Sequence, residues 1–467
     1  MRRTKIVCTI GPKTCSYENL LKLAEMGMNV ARINMSHGDR EWHRKVIKGV
    51  RTINEKGLQS VAILLDTKGP EVRSGDLKQE VRLQKGSVFT FTVRKAAEYD
   101  EYCTEVSYDG FVNDVKVDDI ILVDGGMISL KVIKITEKDV ICECVDGGIL
   151  TSRRHLNIRG KSAKLPSITK KDWEDIEFGI QEGVDFVALS FVKNAAVIKE
   201  LKKHFVAKKV PIEVVAKIES AAAIKHLDAI LKEADGVMVA RGDLGAEIPL
   251  EDVPLVQEEV VKTCRKLGKP VIVATHLLES MIVNPTPTRA EVSDITQAVY
   301  SGADALMLSG ETAAGNYPFR ALEVMDTVAK RIERKLMESK KVTVDVSDDA
   351  KEEIVMSASI MANNLNSAAL LVFTRRGLMA TLLSRCRPNP PIYAFTNTSN
   401  VRRKLNIYWG IDSFRIGFSK DPEKTIQRAI AVLKERGLLK KKDSVIVVSD
   451  ILVGEEFVEA IQVRGIR

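Results

Sequence analysis

Ile212-Glu213-Val214-Val215-Ala216-Lys217-Ile218-Glu219-Ser220 and, next along the chain, Gly236-Val237-Met238-Val239-Ala240-Arg241-Gly242-Asp243-Leu244-Gly245 decide how the whole molecule is read. Each is a short apolar run that stops abruptly in charged residues and turn formers. A run apolar at consecutive positions, rather than alternate ones, predicts a strand buried on both faces. Working outward, the same pattern recurs at 4–10, 28–33, 61–65, 185–191, 271–274 and 304–308. Stretches of helical period separate most of these runs, among them 17–26, 173–181 and 254–267. Strand–helix alternation implies a parallel sheet. Eight such strands suit a closed (β/α)8 TIM barrel better than an open doubly wound sheet.

Two intervals break the rhythm. From Gly69 to Ser167 the chain becomes alternating and β-rich, with Ser87-Val88-Phe89-Thr90-Phe91-Thr92-Val93, Ile120-Ile121-Leu122-Val123 and a run at 140–145. Asp124-Gly125-Gly126 and Asp146-Gly147-Gly148 punctuate it as turns. This predicts a small β-barrel lid, residues 69–166, inserted after the third barrel strand and placed over the active face. The catalytic barrel is then 1–68 with 167–335. Lys340-Lys341 through Asp348-Asp349 is polar and reads as a linker. Beyond it, helices alternate with strands at 368–374, 391–395 and 444–448, giving a C-terminal α/β regulatory domain over 336–467.

Composition narrows the function classes. At 467 residues, 45% hydrophobic and 29% charged, the chain is an ordinary multidomain globular protein. No apolar run is long enough to span a bilayer, which argues against a membrane role. Seven scattered cysteines, with Cys142 and Cys144 unaccompanied by a second Cys or His pair, argue against a disulfide framework and against zinc. Met1-Arg2-Arg3-Thr4-Lys5 runs straight into an apolar strand without a targeting segment, so the expected compartment is the cytoplasm, or the plastid stroma if a transit peptide has been removed. The net charge of +8 suits anionic partners, but Lys and Arg are interspersed with Asp and Glu. The local cluster Arg402-Arg403-Lys404 reads as solvated surface rather than a nucleic-acid patch, leaving anionic small molecules as the expected partners.

In a barrel of this class, chemistry sits where strands end. The second run ends in Arg32-Ile33-Asn34-Met35-Ser36-His37-Gly38, the third in Asp66-Thr67-Lys68-Gly69-Pro70-Glu71-Val72-Arg73, the fifth in Lys217-Ile218-Glu219-Ser220. The sixth ends in Arg241-Gly242-Asp243, the seventh in Thr275-His276, the eighth in Ser309-Gly310-Glu311-Thr312. Lys217 and Arg32 would converge with Asp66, Glu219 and Asp243, a cluster that bound cations and a phosphate would neutralise. Glu219 and Asp243 suit Mg²⁺ (or Mn²⁺), which takes one or two carboxylates plus substrate oxygens; two ordinary rim ion pairs are the alternative. The amides of Gly242 and Asp243 would hold a substrate carboxylate or phosphate. Lys217 would neutralise a transferring phosphoryl group and a developing enolate. Asn34, Ser36, Asp66 and Thr67 offer oxygens with a single formal charge, which suits K⁺, though the same residues could simply cap loops.

Together these motifs resemble the pyruvate kinase family. The matching stretches are Arg3-Thr4-Lys5-Ile6-Val7-Cys8-Thr9-Ile10-Gly11-Pro12, 31–38, 65–73, Lys217-Ile218-Glu219, 238–245, Thr286-Pro287-Thr288-Arg289-Ala290-Glu291 and 307–312, in order over essentially the whole chain. The resemblance implies phosphoryl transfer from phosphoenolpyruvate to ADP in glycolysis, with Mg²⁺ and K⁺ as cofactors and a homotetrameric assembly. It implies Lys217 as stabiliser of the transferring group, Glu219 and Asp243 as divalent-metal ligands, and Asn34, Ser36, Asp66 and Thr67 as potassium ligands. It implies Thr275 beside the substrate's methylene carbon, positioning proton delivery, and Arg32 on the substrate phosphate. Asn34, His37 and Arg73 match nucleotide contacts, and Arg154 stands where the family usually has a nucleotide-facing lysine. Glu71 stands where glutamate accompanies potassium dependence.

Departures from the family pattern are informative. His276 stands where glutamine or asparagine is common. The stretch 152–163 resembles the plastid-type branch, also seen in some bacteria. Thr374-Arg375-Arg376-Gly377-Leu378-Met379 replaces a loop that in fructose-bisphosphate-activated relatives is rich in Thr and Ser; two hydroxyls are gone, while two arginines remain for a phosphorylated-sugar effector other than fructose bisphosphate, or the loop is inert. Two other readings stand beside this one: another phosphoenolpyruvate-handling barrel, and a non-catalytic regulatory subunit of an unlike-chain enzyme.

Overall fold

The computed structural model describes residues 2–57, 59–95, 100–161, 164–339, 349–453 and 456–467. Eight parallel strands, Lys5–Thr9, Val30–Asn34, Ala62–Asp66, Phe186–Leu189, Glu213–Ile218, Gly236–Ala240, Val271–Ala274 and Ala305–Leu308, close a barrel in chain order, the first pairing with both the second and the eighth. They are buried almost throughout, as consecutive apolar residues require. Alternate side chains point inward and fill the lumen: Val7, Val30, Leu64, Phe186, Met238 and Ile272 meet there. The other set packs on the surrounding helices. Several of those helices start on side-chain caps, at Ser16, Asp39, Asn194 and Ser220, with full capping boxes at Thr169/Asp172 and Thr288/Glu291.

The lid lies between the third and fourth barrel strands. Its six-stranded sheet runs, in spatial order, Leu156–Ile158, Ile120–Val123, Ile128–Ile135, Asp139–Asp146, Val88–Thr92 and Cys103–Glu105. A small ladder of Val81–Leu83 with Gly148–Leu150 shares its core, and the sheet curls around that single interior. Phe89, Phe91 and Phe111 stack edge to face at its centre. Cys142 and Cys144 belong to this core, and all seven cysteines are free. Asp124, Gly125 and Gly126 all take positive φ, making the turn that their types require.

The C-terminal domain is a five-stranded sheet in the order Ile411–Arg415, Ile392–Thr396, Ala369–Phe373, Ser444–Val453, Glu456–Gly465. The last strand is antiparallel and the others parallel. The expected linker lies, from residue 340 to 348, outside the described residues, and the helix Pro318–Ser339 runs up to it. Residues 162 and 163 of the lid's return segment are likewise outside them.

One expectation is overturned here. Arg402-Arg403-Lys404 is not solvated surface. Arg403 Nε binds Asp185 Oδ1 at 2.8 Å and Lys404 Nζ binds Glu213 Oε1 at 2.8 Å, both carboxylates standing at the starts of barrel strands. A charge run looks solvated in sequence because its partners are remote. Here they lie on another domain.

Candidate active site

The period of two along each strand builds the site. One step beyond the inward residues Val7, Val30, Leu64, Ala188 and Val215, the next inward positions are Thr9, Arg32, Asp66, Ser190 and Lys217. The apolar lumen therefore ends in a polar top layer. Lys217 Nζ lies 3.1 Å from Asp66 Oδ1, 2.8 Å from Glu219 Oε1 and 2.7 Å from Ser190 Oγ. Arg32 Nε donates to Asp66 Oδ2 at 2.6 Å, and its NH1 donates to Thr9 Oγ1 at 2.9 Å. All five ionisable or hydroxyl groups in this layer are buried.

Charge is balanced locally. Burial alone would pull Lys217 down, but Asp66 and Glu219 more than reverse it, so its ammonium is held charged. Burial pushes Asp66 up, and Lys217 with Arg32 outweighs that, keeping it ionised. Glu219 is different. Burial and Asp243 raise it to about 7, against the pull of Lys217 and of the Phe191 amide, which donates to Glu219 Oε2 at 2.7 Å. Asp243 is half-buried, in the first turn of the helix Arg241–Glu247. Burial of the carboxyl, with Glu71 and Asp66 crowded beside it, raises Asp243 too. Glu219 and Asp243 thus repel each other in the absence of a cation.

Among the described residues no group of three His, Cys, Asp or Glu side chains is arranged to hold a metal unaided. Two hard carboxylates that raise each other's proton affinity fit a divalent ion that completes its shell with substrate oxygens and water. Asn34 and Asp66 are register partners on neighbouring strands, and Asn34 Oδ1 accepts the Ser36 amide at 3.1 Å. Thr67 follows directly, its hydroxyl donating to the Ala188 carbonyl at 3.3 Å. The four oxygen-bearing residues are therefore neighbours, beside the cluster.

Thr275 directly follows the seventh strand, its hydroxyl accepting from the Gly242 amide at 2.8 Å and donating to the Ala274 carbonyl at 2.6 Å. That amide is accordingly engaged. Arg73 pairs with Glu71 at 2.7 Å and donates to the Arg153 carbonyl at 3.0 Å. Arg154 pairs with Asp124 at 3.3 Å, within the lid. Arg32, Asn34 and His37 line a cavity of about 580 Å³, completed by Pro12, Trp42 and Ser309. In the C-terminal domain Thr374 Oγ1 accepts from the Gly377 amide at 2.8 Å, and Arg375 and Arg376 are exposed.

Sequence reasoning passed over four residues. Ser190 and Thr9 belong to the top layer, and counting inward positions past the apolar run would have found them. His155, just before the lid strand Leu156–Ile158, packs edge to face on Phe191 at 6.0 Å and brings Nδ1 to 3.6 Å from Asp243. Burial lowers its pKa, so the contact is not an ion pair at neutral pH. Arg241, read only as the start of a turn, donates to the Thr275 carbonyl at 2.6 Å. Neither His155 nor Arg241 carried a local signal.

Known proteins share this arrangement. The profile of the pyruvate kinase barrel domain matches residues 1–322, and that of the pyruvate kinase alpha/beta domain matches 352–463. "Pyruvate kinase isozyme A, chloroplastic" of Ricinus communis is 52% identical over 97% of this chain and 81% of its own. "Pyruvate kinase" of Bacillus licheniformis is 41% identical over 97% of this chain and 79% of its own. A crystal structure of a pyruvate kinase from Cryptosporidium parvum superposes with a TM-score of 0.92 at 34% identity, covering 100% of this chain and 96% of that one. With the rim chemistry already in place, the chain belongs to the pyruvate kinase family, enzymes that pass a phosphoryl group from phosphoenolpyruvate to ADP.

Proposed function

We propose that phosphoryl transfer runs at the polar top layer of the barrel, with Lys217 at its centre. The carrying observation is that buried ammonium, bonded at once to Asp66, Glu219 and Ser190. The phosphorus–oxygen bond to the enol oxygen breaks as a terminal ADP oxygen bonds to phosphorus, and the electron pair stays on the enolate. Lys217 and Arg32 face the charge spread over the transferring oxygens. Glu219 and Asp243 would hold Mg²⁺ or Mn²⁺, which when bound supplies Lewis-acid neutralisation of phosphoryl and enolate oxygens. Asn34, Ser36, Asp66 and Thr67 would hold K⁺, with Glu71 accompanying that dependence. Thr275 orients the proton that the enolate carbon takes up to become the methyl of pyruvate. Gly242 and Asp243 contact the substrate beside it.

ADP fits the cavity bounded by Arg32, Asn34 and His37, where Trp42 offers an aromatic face. Arg73 and Arg154 would approach the nucleotide from the lid, Arg154 after leaving Asp124. We keep the division 1–68 with 167–335, 69–166 and 336–467 as the functional units. A phosphorylated sugar at Thr374, Arg375, Arg376 and Gly377 has support from their place at the end of a parallel strand, where such sheets bind ligands. A homotetramer gains support from exposed Leu250 and Leu255 on the barrel. No described helix is long and apolar enough to cross a membrane. The compartment proposed is the cytoplasm, or the plastid stroma for a processed form, as the names of the plant relatives indicate for those proteins.

The test is pyruvate formation from phosphoenolpyruvate and ADP by the purified chain, with Mg²⁺ and with or without K⁺. Lys217→Met should lower kcat by about a hundredfold or more, on the order of an oxyanion-stabilising donor, with phosphoenolpyruvate still bound. Full turnover in that variant would sink the assignment of Lys217. Equal rates in Na⁺ and K⁺ would remove the potassium site.

A further inference from the structure

Thr275 and His276 leave the seventh strand with φ of 70° and 56°. Neither is glycine, and a β-branched residue is especially disfavoured there, so something outside the segment must hold it. Arg241 does. From the start of the helix Arg241–Glu247 it donates NH2 to the Thr275 carbonyl at 2.6 Å and Nε to the Ala274 carbonyl at 3.2 Å. Its NH1 is fixed by Asp294 Oδ1 at 2.6 Å and Gln257 Oε1 at 3.4 Å. The side chain is 13% exposed, so these bonds are largely shielded from water. Asp294 stands on the helix Arg289–Ser301, whose first turn is closed by the Thr288/Glu291 box, and Glu291 also takes the amide and hydroxyl of Ser280. The neighbouring Gly242 amide holds the Thr275 hydroxyl. Arg241-Gly242 therefore grips Thr275 twice, by carbonyl and by hydroxyl.

We propose that Arg241 is a positioning residue for proton delivery. It holds the left-handed Thr275-His276 turn so that the threonine hydroxyl faces the enolate carbon, and Asp294 is its mount. The segment 286–291, prominent in the sequence but remote from the chemistry, then contributes by seating the helix that carries Asp294. This rests on the reading of Thr275 given above.

The experiment measures three things on the full chain with Mg²⁺ and K⁺. They are kcat, the dissociation constant of phosphoenolpyruvate by calorimetry, and exchange of pyruvate methyl hydrogens with D₂O by NMR, which isolates the proton step. In Arg241→Met, kcat and exchange should fall together by about tenfold to a hundredfold, the penalty of a small misplacement, while phosphoenolpyruvate affinity stays within about twofold. Adding His276→Gly, which frees the positive-φ position from its side chain, should restore part of the exchange rate. Unchanged exchange in Arg241→Met, loss of substrate affinity in step with kcat, or absence of rescue by His276→Gly would overturn the proposal. Thr275→Val separates the two readings: unaltered exchange there removes the role of Thr275, whereas loss there with none in Arg241→Met removes only the clamp. If Arg241→Met does not fold, Asp294→Asn decides, with a smaller fall in exchange at constant affinity expected and no fall overturning the inference.

Discussion

Glu219 is a carboxylate kept partly protonated near neutrality by burial and by Asp243, although Lys217 lies 2.8 Å away. The sign of its effect on metal binding follows. A divalent ion binds the ionised form, so affinity is full above about 7, where Glu219 titrates, and falls as pH drops through that value. Asp243, also raised, acts in the same direction. Mn²⁺ binding followed by electron paramagnetic resonance should weaken about tenfold per pH unit below that point. An affinity constant down to pH about 5.5, the range where an ordinary carboxylate is still ionised, would refute the coupling between these two carboxylates. At this scale Lys217, Glu219, Asp243, Arg32 and Asp66 were legible in sequence, because each stands at the end of an apolar run or within three residues beyond it. Arg241 and His155 were not, since a hydrogen bond to a backbone carbonyl or a ring contact across domains leaves no pattern in the chain.

Among the elements, the helix Arg289–Ser301 shows how a cap reaches beyond its own turn. Glu291 is pushed up by burial, but hydrogen bonds from Ser280 and Thr288 outweigh this and its carboxyl ends below the ordinary range. A lowered acid contributes stability above the pKa of the unfolded chain and loses it as pH falls through the folded value. Thr288→Ala should cost about 1 kcal/mol. Glu291→Gln keeps the shape but not the charge, so its deficit in melting temperature should be largest at neutral pH and shrink under acid conditions, by scanning calorimetry. A deficit independent of pH would mean that charge is not what holds Ser280. Helix starts such as this one are readable, since Thr-x-x-Glu is a local signal. The edge strand Ile411–Arg415 escaped reading because Ile411-Asp412-Ser413-Phe414-Arg415 has neither the apolar continuity of the barrel strands nor a clean alternation.

In the whole molecule, the barrel is completed by another domain. Ile407, from the C-terminal domain, is fully buried among the lumen residues Val7, Val30 and Met307, so that domain plugs the end opposite the reaction. Eight apolar runs could announce a barrel, but not which remote residue would stop its lower mouth. Beside the plug, Arg403 meets Asp185, a carboxylate 2% exposed whose other oxygen accepts the Ile63 amide at 3.0 Å. Burial raises Asp185 above its ordinary range, and Arg403 is the strongest influence opposing that rise. Arg403→Met would therefore leave a buried charge without its partner, a loss of about 3–5 kcal/mol. The carboxyl would then rise further, and a folded state that binds more protons than the unfolded one is destabilised as pH increases. The penalty of Arg403→Met should accordingly be greatest at pH about 8 and smaller near 5, where proton uptake substitutes for the lost cation. Urea denaturation at the two values measures it, and turnover at the far rim should stay within about twofold, as expected for sites that share no partners. A penalty that is the same at both pH values, or that grows toward acid, would show that Asp185 does not depend on Arg403 for its charge, and that the two domains are joined by the Ile407 plug without this ion pair.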